Sequence, residues 1–155
     1  MSIFHSLNTS ASALTAQRLR MDVISSNMAN VETTRGKMVD GEWEPYRRKM
    51  VSFKPQENAF SSMLNVAMGS RDHRSRSIGN GVTITSIKED RETPFKLVFD
   101  PTHPDANEEG YVQMPNVDPL REMIDLMSAT RSYEANVTVL NANKSMLMKA
   151  LEIGK

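Results

Sequence analysis

Leu7, Leu14, Met21 and Met28 recur at seven-residue intervals near the amino end of the chain, with Phe4 and Ala11 filling positions three or four residues away. A helix with a narrow apolar seam has this spacing, and read strictly it is half of a coiled coil. The same segment contains Asn8, Thr9, Ser10, Ser12, Thr15, Ser25, Ser26 and Asn27, residues that weaken a helix by bonding to backbone groups in other conformations. Isolated, such a helix is marginal. The carboxyl end repeats the design more strongly: Asp118 reads as the N-cap, Pro119 as the first helical residue and Gly154 as the stop. From there Met123, Leu126, Thr130, Tyr133, Val137, Leu140, Lys144, Leu147 and Leu151 alternate spacings of three and four. At about 1.5 Å per residue, a helix from Ile3 to Ala29 extends roughly 40 Å and one from Pro119 to Ile153 roughly 50 Å.

Between these ends the pattern breaks. Gly36, Gly41, Pro45, Pro55, Gly69, Gly79, Gly81, Pro94, Pro101, Pro104, Gly110 and Pro115 interrupt the sequence too often for long helices. Short strands are expected at Trp43 to Phe53, Val82 to Ile87, Phe95 to Phe99 and Tyr111 to Gln113, where β-branched and aromatic residues sit between turn signals. Phe60 to Met68 reads as one short helix. The arginine- and serine-rich stretch from Gly69 to Gly81 reads as an exposed or mobile loop.

The expected fold is therefore α+β, with two long terminal helices pairing as a coiled coil and carrying a small β-rich middle domain. Its divisions fall at residues 1–30, 31–118 and 119–155, with a mobile loop near 61–80. The middle is too small to cover both stripes, so each helix needs its opposite terminus or a neighbouring copy as a partner. Heptads do not distinguish burial within a chain from burial between chains.

Composition narrows the function. Nineteen basic residues balance nineteen acidic ones, so no bulk field draws in nucleic acid or anionic lipid. The absence of cysteine excludes disulfides, thiolate metal sites and cysteine nucleophiles. Met1 to Thr15 lacks a basic region followed by a long apolar core, and no stretch reaches the roughly 18 to 20 apolar residues of a membrane span. Neither a cleaved signal nor membrane insertion is expected.

Two clusters invite a chemical reading. Asp100, His103, Asp105, Glu108 and Glu109 place oxygen and imidazole ligands close together, but Pro101 and Pro104 make the stretch a stiff turn in which Asp before Pro is ordinary. Arg47, Arg48 and Lys49 beside Tyr46 and Trp43 suit stacking with phosphate contact, yet Glu42 and Glu44 adjoin them, which favours a solvated strand face or a protein contact. No phosphate loop, His-Glu-x-x-His or Gly-x-Ser-x-Gly pattern occurs. The chain reads as a non-enzyme without a cofactor or metal.

Ala13-Leu14-Thr15-Ala16-Gln17 and Asn27-Met28-Ala29-Asn30-Val31-Glu32-Thr33-Thr34 resemble the amino-terminal signature of flagellar rod and hook axial proteins. Arg131-Ser132-Tyr133-Glu134-Ala135-Asn136, continuing through Leu140-Asn141 and Lys144-Ser145-Met146 to Leu151-Glu152-Ile153-Gly154-Lys155, resembles their carboxyl-terminal helix. Phe99 to Asp105, Gly110-Tyr111-Val112 and Met114 to Pro119 resemble the proximal rod branch of that family.

The resemblance implies a structural subunit of the flagellar basal body that polymerises through its terminal helices into a tubular axle, transmitting torque and surrounding an export channel. It implies copies of the chain, other rod proteins, the hook-basal body adaptor and the flagellar export apparatus as partners, and export out of the cytoplasm without a cleaved signal. Another axial subunit, or a cytoplasmic coiled-coil adaptor, is the competing reading.

The expected assembly interface comprises Phe4, Leu7, Leu14, Met21 and Met28 on one seam. On the other it comprises Met123, Leu126, Tyr133, Val137, Leu140, Leu147 and Leu151. Asn27, Asn30 and Asn136 join them as amides that fix register between helices when they are bonded.

Overall fold

In a computed structural model, the structure describes residues 3–56, Ala67 and 81–153. The helix expected at Phe60–Met68, Ala67 apart, and the loop expected from Gly69 to Gly81, Gly81 apart, lie outside the described residues. The chain is α+β. Helix α1, Ile3–Ala29, is followed by strands β1 (Lys37–Val39), β2 (Glu42–Glu44), β3 (Lys49–Pro55), β4 (Val82–Glu89), β5 (Lys96–Phe99) and β6 (Tyr111–Met114), and then by helix α2, Pro119–Ile153.

α2 begins where its sequence dictates. The Asp118 Oδ1 atom accepts from the Leu120 N–H at 3.1 Å, and the Asp118 carbonyl takes the Glu122 N–H as the first helical bond. Such a cap contributes about 1 kcal/mol. At the end of α1, Asn30 Nδ2 donates back to the Ser26 carbonyl at 2.8 Å, and Asn30 Oδ1 accepts from the Thr33 hydroxyl, so one side chain closes the last turn.

Among the described residues the strands form three separate antiparallel ribbons, β1–β2, β3–β4 and β5–β6. The single strand expected from Trp43 to Phe53 is two, because Pro45 has no N–H for a ladder and the chain turns through Tyr46, Arg47 and Arg48 before β3. β1 went unread in the sequence. Its signal is Asp40-Gly41, both with positive φ (52° and 91°), the two-residue turn that matches the twist of a tight hairpin. β3–β4 runs from Lys49↔Glu89 to Pro55↔Val82, with a register irregularity at Ser52/Phe53.

The two helices lie side by side and antiparallel: Asn27 meets Glu122 and Met21 meets Thr130, so a step back along α1 is a step forward along α2. α1 also packs against β3 and β4. Between these neighbours, Ala16, Val23, Ile24 and Asn27 are buried, whereas the heptad residues Leu7, Leu14, Met21 and Met28 are half-buried. The most enclosed line of α1 is thus not its most apolar one. Ser12 shows why small residues are needed there: its hydroxyl accepts from the Val82 N–H at 3.0 Å, and a Cβ on Gly81 would stand 2.3 Å from that oxygen.

Candidate assembly surface and the polar junction beneath it

Where both helices meet β3, the core is polar. Glu122 is 0% exposed; its Oε1 accepts from Arg48 Nε at 2.5 Å and its Oε2 from Asn27 Nδ2 at 3.1 Å. Asn27 Nδ2 also donates to the Lys49 carbonyl, while Asn27 Oδ1 accepts from the Lys49 N–H at 2.9 Å and the Tyr46 hydroxyl at 3.0 Å. The second guanidinium arm of Arg48 reaches Asp125 Oδ2 at 3.3 Å, and Arg20 pairs with Asp125 Oδ1 at 2.9 Å. Asn116 completes the junction, accepting from the Arg48 N–H at 2.8 Å and donating to the carbonyls of Asp90 and Thr93.

Every group of this set has a partner, which a buried polar network requires. It joins α1, the Tyr46–Lys49 segment, the Asp90–Thr93 turn and α2. Asn27 therefore bonds across elements, to α2 and to the Tyr46–Lys49 segment. Asn30 and Asn136 do not: Asn136 Nδ2 donates to the Ser132 carbonyl of its own helix at 2.8 Å, as Asn30 does to that of Ser26. Their neighbours one turn back are close enough to satisfy them locally.

The basic run is no solvated strand face. Arg47 lies 4.3 Å from the centre of the Phe95 ring and pairs with Glu44, Arg48 is buried, and Lys49 sits over Tyr46. Its cations are committed within the chain. Sequence reasoning missed Glu122 and Arg48 because each is, by type, a surface residue.

The Asp100–Glu109 stretch is a turn closing β5–β6. Asp100 Oδ1 accepts from the Thr102 N–H and hydroxyl, and His103 Nδ1 from the Asp105 N–H. Asp105 reaches back to the segment after α1, accepting from Arg35 Nη2 at 2.5 Å and the Thr34 hydroxyl at 2.7 Å. Among the described residues no three His, Asp or Glu side chains come together as a metal site. None of the described helices is long and apolar enough to cross a membrane.

The bonds from Arg35 and then Thr34 hold the Asp105 carboxyl below its ordinary value. A folded value below the unfolded one makes the tie fully stabilising above the ordinary carboxylate range and removes it as pH falls through the folded value. In a carbon-detected titration, Asp105 is expected to protonate at lower pH than an unpaired Asp, and Arg35→Ala to return it toward the normal midpoint. An ordinary midpoint in the native chain would disprove the tie.

The remaining expected interface residues divide into two groups. Leu126, Tyr133, Val137, Leu140 and Leu147 are half-buried, as are Leu7, Leu14, Met21 and Met28. Phe4, Met123 and Leu151 are exposed, beside further exposed apolar residues on α2 such as Leu120, Ile124, Met127, Met146 and Ile153.

Two family models match at the two ends of the chain. "Flagella basal body rod protein" matches residues 7–36, and "Flagellar basal body rod FlgEFG protein C-terminal" matches residues 108–153. The flagellar basal-body rod protein FlgC of Bacillus subtilis (strain 168) is 66% identical over 155 residues, covering 100% of both chains. The FlgC proteins of Borreliella burgdorferi and Escherichia coli O6:H1 are 45% and 41% identical, covering 99% and 100% of this chain and 98% and 100% of their own. With its helix pair, its interior ties and its uncovered apolar ends, the chain belongs to the FlgC family of flagellar basal-body rod proteins, structural subunits of the basal body rather than enzymes.

Proposed function

We propose that this rod subunit polymerises in the proximal part of the rod through its two terminal helices, paired as a coiled coil, into a tubular axle that transmits torque and surrounds an export channel. The observation that carries the reading is the helix pair itself: half-buried seams on one side, uncovered apolar residues at both ends. Burial of those residues is worth about 25 cal/mol per Å² removed from water, and assembly would supply a cover that the described residues do not. The chain is best treated as three parts, residues 1–30, 31–118 and 119–155, with the middle facing outward.

As a basal-body rod protein it assembles with other rod components. The finer partners, proposed from family membership, are copies of itself, neighbouring rod proteins, the hook-basal body adaptor and, in transit, the export apparatus. Its proposed site is outside the cytoplasm, reached without a cleaved signal. The polar residues of α1 suit a chain that travels unfolded, since they make that helix weak without its partners.

Leu140→Asp tests the role of the seam. Leu140 lies eighteen residues along α2 from Glu122, about 27 Å from the polar junction at a helical rise. The variant is expected to keep the Lys49 amide protected from hydrogen exchange and to be absent from isolated basal bodies, leaving cells non-motile. A motile strain with the variant in its rods would refute the seam as an assembly element.

A further inference from the structure

The apolar seam between the helices does not by itself choose how far one helix lies along the other. On α1 it repeats every seven residues at Leu7, Leu14, Met21 and Met28. On α2 it does so at Met123, Thr130, Val137, Lys144 and Leu151, and again at Leu126, Tyr133, Leu140 and Leu147. A slide by one such repeat, about 10 Å, therefore sets seam against seam once more. The Asn27–Glu122 and Met21–Thr130 contacts, carried along the antiparallel pair, put Leu14 opposite Val137 and Phe4 opposite the turn at Met146 and Leu147. With α1 moved one repeat toward the carboxyl end of α2, Met21 comes opposite Val137 and Leu7 opposite Leu151.

That second alignment offers the apolar side chains more than the observed one. α2 runs to Ile153, so it overhangs the described part of α1 by roughly two turns, about 10 Å, close to one repeat. Leu151 lies on the seam yet is 73% exposed, because the described part of α1 does not reach it. Apolar burial alone would draw α1 along until Leu7 covered Leu151. The helices stop one repeat short.

What separates the two alignments is the polar junction. In the observed one Glu122 accepts from Arg48 and Asn27, and Asn116 bonds to the Arg48 N–H and to the carbonyls of Asp90 and Thr93. A slide parts these groups together, and leaves Arg48 and Asn27 facing Ala129, Thr130 and Arg131, none of them an acid. The Arg20–Asp125 and Arg35–Asp105 pairs are lost as well, but the first is half-exposed, Arg35 is exposed, and such pairs contribute little. A buried charge that keeps its partner in one alignment and loses it in the others discriminates among them.

We infer that the junction is a register lock: Asn27, Arg48, Asn116 and Glu122 hold the helix pair in one of two heptad-equivalent alignments, against the pull of the apolar seam. The β3–β4 ribbon packs on α1, and the β5–β6 ribbon leads directly into α2, so a slid chain would carry its two ribbons about 10 Å out of place. Identical subunits in a polymer need a single alignment, and the junction supplies it before any neighbour is met.

The chain has no cysteine, so Arg18→Cys and Ala150→Cys, both at exposed positions, create the only attachment points for nitroxide labels. Double electron–electron resonance on the purified full chain then reads the alignment, because a slide brings the labels closer by about 8 Å. The otherwise native chain is expected to give one distance. Asn27→Leu, Arg48→Met, Asn116→Leu and Glu122→Leu combined are expected to add a second population at the shorter distance, in a chain that keeps its helical circular dichroism. A folded variant of this kind with the native distance alone would overturn the inference. Leu14→Ala probes the other side with the junction intact, since it takes an apolar contact from the observed alignment only; the slid one sets Leu14 against Lys144. One native distance is expected there. A slid population in Leu14→Ala would mean that the seam sets the register, and would overturn the inference whether or not the fourfold variant folds. Both readouts are made on the isolated chain and leave the rod reading untouched.

Discussion

Glu122→Ala is expected to lower the unfolding free energy of the purified chain by about 3–5 kcal/mol, the usual consequence of breaking a buried ion pair from one side. The truncation leaves the Arg48 guanidinium enclosed with only the half-buried Asp125 as its acid, and leaves Asn27 Nδ2 with one acceptor instead of two. Urea unfolding at neutral pH, followed by helical circular dichroism, reads the loss directly. The paired variant Arg48→Met with Glu122→Leu is expected to recover most of it, because apolar side chains of similar size need no partner. The two outcomes separate the strength of the pair from the harm of breaking it. A single variant within about 1 kcal/mol of the native chain would mean that water reaches the junction and the account above is wrong.

Asn27→Ala is expected to cost about 2–4 kcal/mol, since it strands the buried Glu122 Oε2 and the half-buried backbone groups of Lys49, at a penalty of about 1–3 kcal/mol for each group where it is buried, part of it relieved by relaxation. Asn27 is the only residue of the junction that both donates to and accepts from the backbone of Lys49. Its loss has a local signature: the Lys49 amide should exchange much faster in the variant, while amides in the centre of α2 change only with global stability. Asn27→Asp is expected to be worse still, because it sets a second carboxylate against Glu122 and removes the donor. Unchanged exchange at Lys49 in the alanine variant would show that the amide is not what ties β3 to α1.

These two residues also mark how far the sequence could be read. Terminal helices were visible because Asp118 and Pro119 announce a start and because the heptad from Leu7 to Met28 is a spacing only a helix uses. Asn27 was legible as an amide needing partners, although not which ones. Glu122 carried no signal: an acid in the first turn of a helix suits the helix dipole and water equally well. Its burial depends on Arg48 arriving from 74 residues away, a tertiary fact that local pattern does not encode. The β1–β2 hairpin is the reverse case, since Asp40-Gly41 stated it and the surrounding charges, Lys37, Glu42 and Glu44, obscured the alternation of a strand. The enclosed face of α1 was not legible for a related reason. Periodicity finds the greasiest line of a helix, but burial goes to the line that has neighbours on two sides, and beside the β3–β4 ribbon that line needs small or bonded residues such as Ser12 and Ala16.

The polar junction has a consequence in time as well as in space. Its partners are 95 residues apart in Asn27 and Glu122 and 105 apart in Arg20 and Asp125. Two-stranded ribbons are marginal by themselves, and here each is fastened to segments that the junction organises. A chain emerging amino end first, from a ribosome or from any narrow conduit, has nowhere to settle Arg48 until α2 has followed it out. The junction therefore closes only once the chain is out through Asp125, about four-fifths of the way along it.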